Sequence, residues 1–458
     1  MELIVTKLGT GAGTPERIDK WRSYNVTLSL KGASHFNVSV PPTKENRALL
    51  KDPGKKFDIR AYGSQQFTGL IDERNEHTGT SATDMQVSGR SFQGLLMDSS
   101  VPKEKRSILN LTVAEVAARL SIDIWPSFIT SVVSDNAANR YIAAGGSNQS
   151  KAYPAKADTE LILVDDGGGR FHYKEVQKSM PAGAKPSTAP YKLLGQKSPY
   201  YAGTGSERFR TTRIPVGSSC WGVIADLGQQ IGIHAWMACD GTIILSRPNY
   251  RVSPEAYGQG IVLKWDSGRS KATGGNVMGV EYERTIAHRK SEYEVIGLGK
   301  SKKTARAKGM FLSGGTIKDP SPAFWARTDS PPYLGASRLY KPGEIQASNC
   351  QDIKRLTRFA RRQVLESALA GLTIRYELDG HRSDSGTMYV PDSTIKVHDE
   401  RNNLYGTYYI TEVTRSYDMN NGKNTKLNLW PCGLWLDNDD PSTPDDQWYE
   451  AIVPKVDW

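Results

Sequence analysis

The chain has 458 residues, 38% hydrophobic and 24% charged, a composition of two to four folded domains and not of a disordered chain. It carries 59 Lys and Arg against 49 Asp and Glu, for a net charge of +10, and no apolar run nears the ~18 residues of a membrane span. Met1–Lys7 has no basic start followed by a long apolar core, so no secretory signal is expected. The cysteines Cys220, Cys239, Cys350 and Cys432 form no CxxC pair, which predicts reduced thiols in a protein made in the cytosol, with no zinc site or disulfide framework.

Residues 1–98 read as short strands joined by turns, without helices. Asn25–Leu30 and Phe36–Val40 alternate with period two around Lys31-Gly32, and Pro41-Pro42 ends the hairpin. Phe57–Tyr62 and Phe67–Ile71 form a second pair, and a further strand runs from Met85 to near Asp98. About six such strands predict a small barrel or sandwich. Thr112–Leu120 then reads as a helix with Thr112 and Glu115 as its capping box. Residues 133–207 are polar and rich in Gly, Pro and Ser. They predict a long loop or mobile insertion with one hairpin, Leu161–Val164 against Phe171–Tyr173. Ser218–Leu227 is spaced as a helix, and Asp240-Gly241 turns His234–Cys239 into Thr242–Ser246. Val277–Tyr282 and Tyr293–Leu298 flank a polar turn at Arg289-Lys290, and 301–349 reads mostly as loop. Gln351–Leu369 is the clearest helix of the sequence, with an apolar face of Ile353, Leu356, Ala360, Val364 and Leu365. Strands follow at Thr373–Leu378, Thr394–His398, Tyr405–Val413 and Thr425–Leu429, the last after an Asn421-Gly422 turn.

Thr68, Ile71, Glu73, Gly94, Leu95 and Asp98 match Thr407, Ile410, Glu412, Gly433, Leu434 and Asp437, each 339 positions on. The matches stand either as chance or as the trace of a duplication. A duplication predicts two similar barrels, the second interrupted by the basic helix. The strand phases slip by one, Val87 against Leu427 and Leu429, which a bulge would absorb.

Charge is uneven. The segment from Asp437 to the end holds seven acids and one lysine, a net of −6, leaving +16 on residues 1–436. Two basic clusters stand out: Lys300, Lys302, Lys303, Arg306 and Lys308, and the helix group Lys354, Arg355, Arg358, Arg361 and Arg362. They read either as solvated surface or as a positive surface facing nucleic acid or an acidic protein.

Enzymatic constellations are missing from the sequence. Gly297–Ser301 resembles the end of a P-loop, but Glu294 stands where its first glycine belongs. No GxSxG or HExxH occurs, and the seven histidines share no metal-ligand spacing. Cys220 and His234 are a conceivable nucleophile and base, yet Cys220 lies among apolar helix residues and reads as a buried structural thiol. No enzyme, cofactor or metal is expected.

The order of parts resembles the baseplate hub proteins of contractile-tailed bacteriophages, the phage Mu-like tail hub family. The likeness rests on Gly-Arg-Ser-Phe-Gln-Gly-Leu-Leu-Met-Asp at Gly89–Asp98, on the Asp240-Gly241-Thr242 hairpin running to Arg247-Pro248, and on Gly-Lys-Asn-Thr-Lys-Leu-Asn-Leu at Gly422–Leu429. It departs at 125–207 and after Asp437. The resemblance implies a mainly β (α+β) chain with two tail-tube-like β-barrels flanking smaller α/β domains: 1–100, first barrel; 101–255, α/β insert; 256–436, second barrel with the basic helix; 437–458, acidic tail. It implies a homotrimer whose barrels ring a channel, in the tail baseplate of a virion made in the host cytoplasm. Implied partners are other copies of itself, a tail tube or tube-adaptor protein, a central spike protein, a tape measure protein and transiting DNA. One basic cluster would then line the lumen. Two other readings compete: a cell-wall-degrading or glycan-binding tail component with its activity in 133–207, and a free nucleic-acid-binding protein. The basic clusters lack the aromatic interleaving of single-strand readers.

Overall fold

Alternation of apolar and polar side chains sets the strands. Tyr24, Val26 and Leu28 are buried while Asn25 is exposed; Phe36, Val38 and Val40 are buried while His35 and Asn37 are exposed. The structure, a computed structural model, describes residues 2–6, 16–18, 20–51, 53–61, 64–78, 83–125, 128–129, 132–134, 142–145, 151–154, 159–165, 171–177, 209–230, 234–246, 262–265, 277–285, 287, 292–299, 310–318, 342–347, 370–383, 388–402, 404–420 and 422–431. They are mostly β.

The first part comprises β1 (Glu2–Thr6), β2 (Glu16–Ile18), β3 (Ser23–Ser29), β4 (His35–Val40), α1 (Lys44–Leu49), β5 (Lys56–Ala61), β6 (Ser64–Thr78), β7 (Thr83–Arg90) and α2 (Phe92–Asp98). Two helices therefore interrupt what the sequence predicts as strands alone. The strand expected to reach Asp98 stops at Arg90. Phe92 and Leu96, four residues apart, are both buried in a core beyond the sheet, and a helix is what puts them on one face.

The middle part comprises β8 (Ser107–Leu111), α3 (Val113–Leu120), β9 (Val132–Ser134), β10 (Ile142–Gly145), β11 (Lys151–Pro154), β12 (Thr159–Asp165), β13 (Phe171–Gln177), β14 (Phe209–Arg213), α4 (Cys220–Gln230), β15 (His234–Met237) and β16 (Ile243–Ser246). The capping box of α3 is formed as expected: the Glu115 amide donates to Thr112 Oγ1 at 3.2 Å, and the Thr112 amide to Glu115 Oε2 at 2.7 Å. Hairpin β12–β13 is also present, with Leu163 opposite Tyr173. The expectation of one hairpin in a long loop is too spare, however. Strands β9, β10 and β11 lie in or across the start of that segment and join the β15–β16 hairpin in a five-stranded sheet, because buried Val132 adds β9 parallel to β16. Helices α2, α3 and α4 and hairpin β15–β16 share one apolar core with Cys220, Ile224 and Leu227 inside it.

The last part comprises β17 (Val262–Trp265), β18 (Val277–Arg284), β19 (Glu292–Gly299), β20 (Met310–Lys318), β21 (Pro342–Ala347), β22 (Leu372–Asp379), β23 (Ser393–Asp399), β24 (Leu404–Asp418) and β25 (Gly422–Pro431). Strands β18 and β19, which flank the polar turn at Arg289-Lys290, do not pair with each other. Strand β18 pairs with β22, where Val280 and Tyr282 pack on the core of Ile374 and Tyr376; β19 pairs with β20 and β21 in a separate sheet. Segment 301–349 thus contains two strands. The helix expected at 351–369 lies outside the described residues.

Thirteen strands form one sheet, ordered β18-β22-β25-β24-β3-β4-β7-β6-β5-β1-β2, with β23 on β24 and β17 on β23. Strand pairing among the described residues does not close either half on itself. The path is duplicated: β3-β4-β7-β6-β5 in the first part follows the same antiparallel steps as β18-β22-β25-β24-β23 in the last. A bulge sits at the same place in each half, between Ile71 and Glu73 in β6 and between Ile410 and Glu412 in β24. These are the residues of the sequence repeat. The one-residue slip falls in the hairpin turn instead of a strand bulge: Thr78 pairs with Thr83, its counterpart Tyr417 with Lys423, so the second turn is one residue longer.

Candidate assembly interface

All ten basic residues singled out from the sequence lie outside the described residues. Lys300, Lys302, Lys303, Arg306 and Lys308 fall between β19 and β20 in the chain. Lys354, Arg355, Arg358, Arg361 and Arg362 fall between β21 and β22. The structure instead directs attention to how the two half-sheets meet.

The halves join where the outer part of β24 pairs antiparallel with β3, Glu412 opposite Ser29 through Tyr417 opposite Tyr24. Long strand β24 reaches this seam because its first residues pair with β23 and, past the bulge, its later ones turn to β3. Val413 and Arg415 point inward with Val26 and Leu28. Thr27 and Thr414, directly opposite, bring their hydroxyl oxygens to 3.0 Å. Trp21 stands edge-on to Tyr24 and Tyr417, with centroids 5.1 and 5.0 Å away, and closes one end.

A guanidinium and an imidazole are buried in this seam. Arg415 is 2% exposed; Nη1 donates to Gln66 Oε1 at 2.6 Å and Nη2 to the Tyr389 carbonyl, so one guanidinium ties β24 to β6 and to the loop before β23. His381, also 2% exposed, bridges the halves: Nε2 lies 2.6 Å from Tyr24 Oη, and Nδ1 3.0 Å from Thr425 Oγ1. The Thr425 hydroxyl donates to the Gly380 carbonyl at 2.7 Å, so it accepts from Nδ1–H, which leaves Nε2 to accept from Tyr24. Burial, with Arg415 and Lys423 nearby, holds the His381 imidazole neutral, its pKa lowered to about 3. Nothing local in the sequence marks Tyr24, Gln66 or His381 as part of a seam. Arg415 alone carries a local signal, a charge in the inward phase of an alternating strand.

The motif at Gly89–Asp98 has a packing role. A Cβ on Gly89 would sit 2.0 Å from the Leu70 carbonyl oxygen, and one on Gly69 2.2 Å from that of Arg90. Beside this crossing, Arg90 Nε donates to Asp72 at 2.6 Å and Nη2 to Asp98 at 2.6 Å, which joins the bulge of β6 to the end of α2 and lowers the pKa of Asp98. Of the suggested nucleophile and base, Cys220 is buried with its thiol pushed up to about 11, and His234 Nε2 lies 2.7 Å from the Leu30 carbonyl. A reactive thiolate needs the opposite shift. Among the described residues no three His, Cys, Asp or Glu group as a metal site, and no helix is long and apolar enough to cross a membrane.

Each half-sheet also presents an edge. Past Leu70, where β5 ends its pairing, Asp72–Thr78 of β6 has β7 on one side and, among the described residues, no strand on the other. Among the described residues, strand β18 likewise pairs only with β22.

The sequence matches no family model and no curated protein. Solved structures do match. The tail protein from Neisseria meningitidis MC58 superposes with a TM-score of 0.60 at 17% identity, over 95% of this chain and 98% of that one. The 43 kDa tail protein of prophage MuSo2 from Shewanella oneidensis gives 0.60 at 15%, over 95% and 100%. Over the matched residues the chain shares the fold of these two tail proteins.

Proposed function

We propose that the chain is a structural component of a phage tail, the baseplate hub of a contractile tail. In this reading residues 1–100 and 256–436 form two tube-like barrels flanking the α/β part at 101–255, and three copies make a ring of six. The ring joins a six-fold tail tube, directly or through a tube adaptor, to a three-fold central spike, and leaves a channel for DNA. The observation that carries the reading is the duplicated strand path, with its matching bulges, in one continuous sheet: a chain that contributes two equivalent units to a ring is how a trimer meets six-fold symmetry. The fold shared with two tail proteins supports the tail setting. The two basic clusters remain candidates for the lumen, and the acidic segment 437–458 reads either as an arm for docking a basic neighbour or as a solvated end.

The test is the mass and symmetry of the purified chain. Sedimentation and electron microscopy are expected to give a trimer with six lobes around a central opening. A chain that stays monomeric at high concentration, or one that cleaves peptidoglycan as an isolated protein, overturns the reading.

A further inference from the structure

The end of the large sheet where β22 begins is also the end where β25 stops. We infer that the acidic segment from Asp437 onward binds, within the same chain, the basic cluster Lys354, Arg355, Arg358, Arg361 and Arg362, and occupies it in place of other polyanions. The inference rests on strand register and charge. It goes beyond the hub reading and does not depend on it.

Register brings the two charge groups to one place. Strands β22 and β25 pair antiparallel, from Arg375 opposite Asn428 to Asp379 opposite Asn424. The same register run back sets Leu372, the first residue of β22, opposite Pro431, the last of β25. Neighbouring strands lie about 5 Å apart, so the chain enters β22 and leaves β25 side by side. Both charge groups lie outside the described residues, but the strands that tether them lie inside. Arg362 is ten residues before Leu372, and Asp437 is six residues after Pro431. Ala370, just ahead of β22, is helical. The helix expected over 351–369 sets Arg362 about 12 Å before it. Six residues reach at most about 21 Å, so Asp437 and the acids after it have the length to run along the cluster. A further cation stands at the exit: Lys31 Nζ lies 4.1 Å from the centroid of the Trp430 ring, next to Pro431.

Charge selects the same pair. Residues 437–446 hold Asp437, Asp439, Asp440, Asp445 and Asp446 and no base, while 354–362 hold their five bases and no acid. One exposed ion pair is worth little, but several charges acting together are worth more. A short link makes the encounter intramolecular, at an effective concentration of roughly millimolar. The other basic cluster has the same charge and a different tether. Lys300–Lys308 joins β19 to β20, in a three-stranded sheet that shares no strand with β22 and β25. Strand register therefore favours 354–362 over 300–308. The consequence is competition: a nucleic acid reaches Arg355 and Arg358 only by displacing carboxylates already there.

Carbodiimide cross-linking of the full-length chain tests the contact. The reagent joins a carboxylate to a lysine Nζ with loss of water. The cluster at 354–362 has one lysine, Lys354, against Lys300, Lys302, Lys303 and Lys308 in the other, so chance favours the wrong cluster. Peptides from the single-chain band of a denaturing gel are expected to link Asp437–Asp446 chiefly to Lys354. No such link, links chiefly to 300–308, or links found only in bands of two or more chains overturn the inference. Binding of a labelled DNA duplex at low salt measures the competition. Changing the five aspartates of 437–446 to Asn is expected to tighten binding about tenfold. With Lys354, Arg355, Arg358, Arg361 and Arg362 all changed to Gln, the same five changes are expected to gain less than about twofold. An equal gain in both backgrounds means that net charge alone is at work and overturns the inference. None of these outcomes alters the mass and symmetry by which the hub reading is tested.

Discussion

Strands β24 and β6 share a length, a bulge and a place in the strand order, yet they end against different surroundings. Past its bulge β24 puts Val413 and Arg415 inward against β3, and both are buried. At the same two positions β6 carries Arg74 and Glu76, paired with each other at 2.7 Å, with Glu76 exposed. One copy of the plan is finished inside the chain with apolar, aromatic and hydrogen-bonded contacts. The other is left as a charged edge, the form in which a sheet avoids indiscriminate association. The difference shows that the repeat preserves backbone geometry while the side chains answer to the neighbour each half meets.

The contrast is broken most severely at the glycines. In the first half, Gly89 faces the Leu70 carbonyl and the Phe36 ring so closely that any Cβ collides with backbone. Gly89→Val is expected to cost about 4 kcal/mol, through overpacking that cannot relax along a paired strand. In the last half, Gly279 has only the Glu377 side chain near, at 3.6 Å, and Gly279→Ala is expected to stay within about 0.5 kcal/mol. Urea denaturation of both variants measures the gap. Equal losses would mean the two half-sheets are not packed as described.

Next in size is Arg415. Arg415→Met keeps the bulk of the stem but strips donors from Gln66 Oε1 and the Tyr389 carbonyl, both buried. The expected loss is about 3 kcal/mol. Hydrogen exchange is expected to quicken first in β3 and β24, while β6 and β7 keep their protection. A uniform loss of protection would show that Arg415 supports the whole sheet and not the seam.

How much of this was legible in the sequence follows from the distance over which each signal acts. The capping box of α3 and the β15–β16 turn could be read because Thr112 with Glu115 and Asp240 with Gly241 are close neighbours. Gly241 takes φ +88°, and the Thr242 amide donates to Asp240 at 2.9 Å. The duplication left a trace because Ile71 and Glu73, like Ile410 and Glu412, frame the bulge that both halves need. Helix α2 is not legible locally because Phe92 and Leu96 respond to a core built from residues downstream as far as Leu245. The seam was invisible: Thr27 and Thr414 are 387 residues apart, and nothing local in β3 or β24 names the other. The basic clusters were conspicuous in the sequence for their charge alone, and charge carries no information about which strand they lie beside.

The smallest effect, and the one most specific to the seam, is its dependence on acid. His381 has a folded-state pKa of about 3, because burial and the nearby Arg415 and Lys423 disfavour its charged form. In the unfolded chain the value is near 6.5. The unfolded state therefore takes up the proton first. The stability that depends on neutral His381 is whole above about pH 6.5 and is lost as pH falls toward 3, at about 1.4 kcal/mol per pH unit in between. At pH 5 the expected deficit is about 2 kcal/mol relative to pH 7. His381→Gln keeps an acceptor for the Tyr24 hydroxyl and a donor for Thr425 but does not titrate. Its stability is expected to be lower than that of the parent chain at pH 7 and to change less on going to pH 5, with the double difference near the same 2 kcal/mol. Protonation also places a donor where Tyr24 now donates, so acid is expected to loosen β3 from β24 before it affects the β6–β7 pairing. Parallel pH profiles for the parent chain and the variant would mean that another group, not His381, sets the acid limit of the seam.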